Sequence, residues 1–167
     1  MKFFFTLFLL TILSCSTEEV LPPPIEKISD TGSIFSIQNI KDIGFKNNNE
    51  YKVDELPGAV SAFFGFIKND LGEPEDYEIR FYENHSDAVE LGIKYADNVT
   101  GETGCISKDC SLWTEGLKHR IQMHDLGTLH PKYMTYVVYN NFILFCPGYG
   151  EDEAILKCNY IINKIIK

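Results

Sequence analysis

The feature that most constrains this chain is the apolar stretch at its N-terminus, which ends at Cys15. Residues 3–13 are apolar apart from Thr6 and Thr11, and Lys2 supplies a positive charge before them. The stretch is shorter than the roughly 20 residues that a helix needs to cross a bilayer, and its length is typical of a secretory signal peptide. The sequence therefore predicts that residues 1–14 are removed on export and that the rest folds outside the cytoplasm.

The residues around the predicted cleavage site favour lipidation of Cys15. Ile12-Leu13-Ser14-Cys15 resembles a lipobox, with an aliphatic residue at −3 and a small residue at −1. Several acyl chains on one cysteine anchor a protein stably, whereas a single chain binds a membrane only marginally. A plain signal peptide with a chance cysteine and an uncleaved anchor are the alternatives. We expect a lipoprotein of the cell envelope, carried by the outer membrane in a diderm host because Ser16 rather than Asp follows the cysteine.

Residues 15–32 are predicted to form the lipidated tether, and residues 33–167 a single domain. Pro22-Pro23-Pro24 favours an extended, semi-rigid spacer. The remaining chain has the size of one domain and is long enough to bury a core of its own. Because 44% of the residues are hydrophobic and 23% are charged, the composition is that of a folded protein.

The net charge of −9 excludes some partners. Nucleic acid is not an expected partner, since its binding requires clustered Lys and Arg side chains. Electrostatic docking on anionic lipid is excluded for the same reason. The predicted membrane contact is therefore the N-terminal lipid, and the charge identifies no protein or small-molecule partner.

The hydrophobic periodicity predicts an α+β fold in the order α-ββα-ββα. Apolar residues at helical spacing predict helices over 33–44, 85–99 and 151–166, and apolar or alternating runs predict strands over 59–67, 77–82, 133–139 and 142–146. Lys46-Asn47-Asn48-Asn49 predicts a turn, and Asn140-Asn141 predicts a hairpin because Asn tolerates left-handed backbone. Such an order predicts an antiparallel sheet with the helices packed on one face. Residues 101–132 form a less regular insert between the two halves.

Four further cysteines predict disulfides in the exported domain: Cys105, Cys110, Cys146 and Cys158. An even number of cysteines in an oxidising compartment is typical of paired thiols, and four cysteines allow three pairings. The sequence favours the local pairing, Cys105 with Cys110 and Cys146 with Cys158. The second bond would attach the C-terminal helix to the last strand.

A metal site in the insert is the alternative to disulfide pairing, and it makes a more specific functional prediction. Cys105 and Cys110 are followed by His119, His124 and His130, and cysteine and histidine are the usual ligands of zinc. Their spacing matches no standard zinc finger, and the paired CxxC knuckle is missing. We therefore predict neither a metal site nor a cofactor.

Two other groups of residues are candidates for chemistry. His85 and Asp87 are close enough in sequence for an acid–base pair, but a capped first helical turn is the favoured explanation. Aromatic and small residues alternate over 59–66 and are able to line a ligand groove, but a core strand has the same pattern. No catalytic residue is predicted.

Three segments carry a resemblance to a known family. They are Leu56-Pro57-Gly58-Ala59 before an aromatic strand, the run from Tyr77 to Tyr82 continuing into His85-Ser86-Asp87-Ala88, and Trp113 with Glu115-Gly116. Together they resemble an uncharacterised family of bacterial lipoproteins from marine lineages, over most of the chain after residue 34. The resemblance implies export and one α+β domain, and it brings no catalytic motif.

These patterns predict a membrane-anchored, exported lipoprotein that binds a partner or ligand, or that has a structural role in the envelope, without being an enzyme. The alternative is a metal-dependent or hydrolytic envelope enzyme that uses residues 105–130. An enzyme requires acids, bases or metal ligands that converge in one cleft.

Overall fold

One large sheet organises the protein, and the computed structural model describes it within residues 24–123 and 127–167. The strands are β1 (Ile28–Ser29), β2 (Lys46–Tyr51), β3 (Ala59–Lys68), β4 (Pro74–Tyr82), β5 (Ile121–Met123), β6 (Leu129–Pro131), β7 (Tyr133–Tyr139) and β8 (Phe142–Pro147). Six of them form the large sheet in the order β1-β7-β8-β4-β3-β2, and β5 and β6 pair separately. Neighbouring strands run antiparallel, except that β1 runs parallel to β7.

The helices are short apart from the last one. They are α1 (Ile37–Asp42), α2 (His85–Asp87), a π-helical segment (Ala88–Gly92), α3 (Ile93–Asp97), a 3-10 helix (Leu117–Arg120) and α4 (Glu151–Ile166). Acidic residues occupy the first turn of α4, where they complement the helix dipole. Within the described residues, no helix is both long and apolar enough to cross a bilayer.

The sheet is buried on both faces, and this corrects the expectation that the helices pack on one face. Phe142, Leu144 and Cys146 of β8 point to the first face, where they pack with residues of α1 and α4. Ile143 and Phe145 point to the second face, where they pack with Ala88, Ala96 and Val99 from the helical stretch after β4. An apolar strand without polar alternation is typical of a sheet covered on both sides.

The predicted order of elements also differs in its first half. Residues 46–49, predicted as a turn, belong to the edge strand β2, which pairs with β3 and contains a bulge between Asn47 and Asn49. Five of the six residues of β2 are exposed, so the strand lacks the apolar alternation that would have predicted it. The mixed α+β class with a large, mostly antiparallel sheet is confirmed.

Two disulfides are present, in the local pairing. Cys146 of β8 is bonded to Cys158 of α4, and both are fully buried on the first face. Cys105 is bonded to Cys110 within the insert. Residues 1–23, which include the predicted signal peptide, Cys15 and the first part of the predicted tether, lie outside the described residues.

Candidate functional site

A cluster of buried charges lies on the second face of the sheet. Glu78 and Arg80 point to this face from β4, Arg120 reaches it from the 3-10 helix, and all three side chains are fully buried. Arg80 Nε donates to Glu78 Oε1 and Arg120 Nε donates to Glu78 Oε2, each at 2.7 Å. We refer to Glu78, Arg80 and Arg120 as the charge cluster. It carries two positive charges for one negative charge, and one carboxylate serves both arginines.

Aromatic rings surround the two guanidinium groups. Arg80 lies 4.2 Å from the ring centroid of Phe145 and 4.9 Å from that of Trp113, and Arg120 lies 4.5 Å from that of Trp113. Such cation–π contacts stabilise a desolvated cation by about 2 kcal/mol or more. They offset part of the cost of burying the excess positive charge.

The electrostatics of the cluster keep Glu78 ionised. Burial raises the pKa of a carboxyl group, but the guanidinium groups of Arg120 and Arg80 outweigh burial here, so the pKa of Glu78 is lowered. A charged Glu78 accepts hydrogen bonds from both arginines, which a protonated carboxyl group does less well.

Arg120 also fixes the loop that precedes its helix. Its Nη1 donates to the backbone oxygen of Trp113 at 3.0 Å, and its Nη2 donates to that of Glu115 at 2.8 Å. Gly116 follows with a φ of 71°, and a side chain at this position would meet the ring of Tyr51. The charge cluster therefore determines where the loop lies on the edge of the sheet.

A cleft of about 440 Å³ opens between this loop and the edge strand β2. Its walls come from three segments: Asn49 and Tyr51 of β2, Lys108 of the disulfide loop, and residues 114–119 with Ile121. Its volume is in the range of small-molecule sites, roughly 300–1,000 Å³. We call this space the Tyr51–His119 cleft.

Tyr51 and His119 form the polar pair of the cleft. Tyr51 Oη lies 2.6 Å from His119 Nδ1, and the imidazole stacks on Phe64 with 4.3 Å between ring centroids. Burial lowers the pKa of His119, and the nearby charges of Lys118 and Lys132 lower it further. Burial likewise raises the pKa of Tyr51 far above its ordinary value. We assign the protonated phenol as the donor to Nδ1, and this assignment places the proton of the neutral imidazole on Nε2.

The Cys105–Cys110 disulfide holds the loop that brings Lys108 to the cleft. Asn98, just after α3, fixes both ends of this loop. Its backbone oxygen accepts from Cys105 N at 2.8 Å, and its Nδ2 donates to the backbone oxygen of Cys110 at 3.1 Å. The position of Lys108 thus depends on a covalent bond and on the hydrogen bonds of Asn98.

The described residues of the metal alternative, Cys105, Cys110, His119 and His130, have other partners. Cys105 and Cys110 are consumed by their disulfide, and His130 Nε2 bonds to Thr128 Oγ1 at 2.9 Å on the separate β5–β6 pair. His124 lies outside the described residues. Within residues 24–123 and 127–167, no three His, Cys, Asp or Glu side chains are placed to hold a metal ion.

The proposed acid–base pair is a capped helix start. Asn84 Oδ1 accepts from the backbone N–H of Asp87 at 2.9 Å, while His85 Nδ1 bonds to the backbone oxygen of Asn140 at 2.8 Å. The imidazole is therefore engaged with the β7–β8 hairpin. Of the aromatic residues over 59–66, Phe63 belongs to the first-face core, and Phe64 lies beneath the imidazole of His119.

A second surface cavity of about 380 Å³ lies between residues 69–75 and α4. Its charged residues already pair with one another. Lys157 Nζ lies 3.4 Å from Glu75 and 2.7 Å from Glu153, and Tyr160 Oη donates to Asp70 at 2.7 Å. Because these pairs satisfy the polar groups internally, this cavity offers a ligand less than the Tyr51–His119 cleft does.

Sequence reasoning missed the charge cluster and the Tyr51–His119 pair. The polar positions Glu78 and Arg80 alternate with Tyr77, Ile79 and Phe81, which predicted a half-buried strand with an exposed polar face. The pattern is the same whether that face meets water or a covering loop. His119 was singled out as a metal ligand, and its actual partner is 68 residues away in the sequence.

The comparison with protein families agrees with an uncharacterised family. A model described as a family of unknown function, DUF6810, matches residues 36–167. This chain belongs to that family. The DUF6810 match covers α1 to α4 and therefore includes the charge cluster and the cleft. No curated protein and no solved structure matches the chain.

Proposed function

We propose that this DUF6810 protein is an exported, lipid-anchored binding module that takes its ligand in the Tyr51–His119 cleft. The observation that carries the proposal is the cleft itself, because its walls are already in place and rest on buried interactions. A site built on rigid supports loses little freedom when it binds.

Two features support export. The structure holds two disulfides, which form and persist in oxidising compartments. The sequence begins with the apolar leader that ends at Cys15. Lipid on that cysteine would retain the domain at the envelope.

The position of the cleft suits a protein that is anchored at its N-terminus. The described chain begins beside α4, where the backbone N–H of Ile25 donates to Asn159 Oδ1 at 3.2 Å, and it continues into the edge strand β1. The cleft adjoins β2, which is the opposite edge strand. Five strand spacings, about 24 Å, separate these edges. A tether at β1 therefore leaves the cleft free.

The hydrolytic alternative has its best candidate in His119, which is a poor base in this arrangement. A general base requires an unprotonated nitrogen that faces the substrate. In the assigned tautomer the free electron pair of His119 is on Nδ1 and accepts from Tyr51, so the other nitrogen is a donor. The imidazole is arranged to bind a ligand acceptor.

Anchoring is tested by fractionating cells that express the full chain or its Cys15→Ser variant. We expect the natural chain to carry acyl chains and to occur in the membrane fraction. We expect the Cys15→Ser variant to carry no acyl chains. Ser16→Ala is the matched control, because it changes a neighbouring hydroxyl and leaves the thiol. Acylation that persists in the Cys15→Ser variant would refute anchoring at this residue.

Binding is tested by a fragment screen on the ¹⁵N-labelled full chain in nonionic detergent, followed by amide chemical shifts. We expect ligands to perturb residues 114–121 together with Asn49 and Lys108. Thr114→Trp places a large side chain in the cleft and should abolish these shifts, whereas Lys41→Gln on the first face should not. Ligands that map only to other surfaces would refute the cleft as the site.

A further inference from the structure

We infer that the Tyr51–His119 cleft binds a small organic anion, a carboxylate or phosphate group carried on an apolar body. The inference rests on the proposed function and adds the chemical class of the ligand. It stands on the charges, donors and apolar surfaces that line the cleft.

The charge of the cleft is opposite to that of the protein. Lys108 and Lys118 line it, and Glu115 is the acidic residue of the same lining. The whole chain carries −9. A local excess of positive charge attracts small anions, whereas the negative charge of the whole chain repels other acidic proteins.

Further cations lie behind the cleft wall. Lys132 Nζ is 5.2 Å from the ring centroid of Phe64, and Phe64 stacks beneath His119. Arg120 of the charge cluster belongs to the 3-10 helix that also presents Lys118 and His119. Asp76 pairs with Lys132 and Glu78 pairs with Arg120, so the excess is moderate.

The remaining polar group of the pair is a donor. His119 accepts from Tyr51 through Nδ1, and its Nε2–H is therefore directed away from Tyr51. The ammonium groups of Lys108 and Lys118 are donors without acceptor capacity. A ligand that supplies several acceptor oxygens matches this set, and carboxylate and phosphate groups do so.

The apolar part of the ligand follows from the rest of the lining. Leu117 and Ile121 are partly exposed at the cleft, and the ring of Tyr51 forms part of its wall. Inorganic ions would leave these surfaces in contact with water. An apolar body next to the anionic group would bury them.

The test uses three ligands of one shape: benzoate, benzamide and benzylamine. Each is titrated at millimolar concentrations into the ¹⁵N-labelled full chain in nonionic detergent, with the amides of Lys108 and residues 114–121 as the readout. Phenyl phosphate and inorganic phosphate distinguish the two anionic groups and test the need for an apolar body.

We expect benzoate or phenyl phosphate to shift these amides, and benzamide, benzylamine and inorganic phosphate to shift them far less. Lys108→Gln and Lys118→Gln should each lower the affinity for the anion roughly two- to fivefold, which is the range for one exposed ion pair. Lys41→Gln removes the same charge from the first face and should leave the affinity unchanged.

The outcomes separate the two claims. If benzamide or benzylamine binds the cleft as tightly as benzoate, the anionic class is wrong and the binding function stands. Inorganic phosphate that binds as well as phenyl phosphate contradicts the apolar body. If none of the five compounds shifts these amides but the fragment screen yields ligands of the cleft, the anionic class is wrong and the binding function stands. If the screen yields no such ligand either, both the inference and the proposed binding function are overturned.

Discussion

At the scale of single residues, Glu78 compensates the buried positive charges of Arg80 and Arg120 on the second face. Both arginines of the charge cluster use this carboxylate, and the three side chains have no exposure to water. Removing one partner of a buried ion pair leaves the other uncompensated, which costs roughly 3–5 kcal/mol. Replacing all three with apolar residues removes the charges together and is often neutral.

We therefore predict that two variants of the charge cluster differ in their free energy of unfolding. Glu78→Gln should lower the free energy of unfolding by about 3–5 kcal/mol, measured by urea denaturation of the full chain. The triple variant Glu78→Met, Arg80→Met and Arg120→Met should unfold closer to the natural protein, but it should lose ligand binding because Arg120 no longer holds the backbone of Trp113 and Glu115. Equal stability of the two variants would contradict this account of the charge cluster.

The same carboxylate predicts the direction of acid sensitivity. Because the pKa of Glu78 is lower in the folded protein than its ordinary value of 4.5, its contribution to stability is complete above that value. The contribution is lost as the pH falls from there towards the folded pKa. Urea midpoints measured from neutral to acidic pH should fall more steeply for the natural protein than for the triple apolar variant.

Tyr51 determines the proton position on His119. Its hydroxyl donates to Nδ1 and so favours the neutral imidazole. Tyr51→Phe should raise the pKa of His119 and mix its two tautomers, as measured by the ¹⁵N shifts of the ring. An unchanged tautomer in this variant would show that the phenol does not set the proton. Phe replaces the ring without removing its packing against Trp113.

At the scale of the elements, the two disulfides have different tasks. Cys146–Cys158 joins β8 to α4 in the first-face core, whereas Cys105–Cys110 closes an exposed loop that presents Lys108. Loop-closure entropy assigns about 2 kcal/mol to the short loop and about 3 kcal/mol to the longer one.

Replacing both cysteines of each bond by alanine should separate these tasks. The Cys105 and Cys110 double variant should keep most of its stability and weaken anion binding. The Cys146 and Cys158 double variant should lose more stability. Its affinity for benzoate, measured well below its melting temperature, should stay close to that of the natural protein. The reverse assignment of effects would contradict the position given to Lys108.

The elements also show what the sequence was able to predict. α4 follows the predicted span of 151–166, because acidic residues begin it and an apolar stripe covers one side. Asn140 has a φ of 49°, as expected for the hairpin between β7 and β8. β2 was missed because its pairing with β3 depends on backbone hydrogen bonds, and its exposed polar side chains carry no periodic signal.

The placement of helices on both faces was missed for a related reason. The continuous apolar run of β8 was assigned to a strand correctly, but a strand in a one-sided sheet and a strand in a two-sided sheet were not distinguished. The cleft could not be predicted from the sequence either, because Tyr51, Lys108 and His119 come together only when the insert folds over β2 and β3. Nothing in the sequence pattern indicates that these three residues line the same cleft.

At the scale of the whole molecule, the proposed membrane attachment and the proposed ligand cleft lie at opposite edges of the sheet. The N-terminal chain enters at β1 beside α4, and the cleft borders β2. The charge cluster and the Cys105–Cys110 loop support the cleft, while α1 and α4 cover the opposite face. The DUF6810 match spans all of these parts.

The most direct test of export and anchoring is the intact mass of the protein recovered from the membrane fraction of cells that express the full chain. We predict a chain that begins at Cys15, carries a diacylglyceryl group and an amide-linked acyl chain, and lacks the thiol hydrogens of Cys105, Cys110, Cys146 and Cys158. A mass that retains residues 1–14, has no lipid or contains free thiols at these positions would contradict the account.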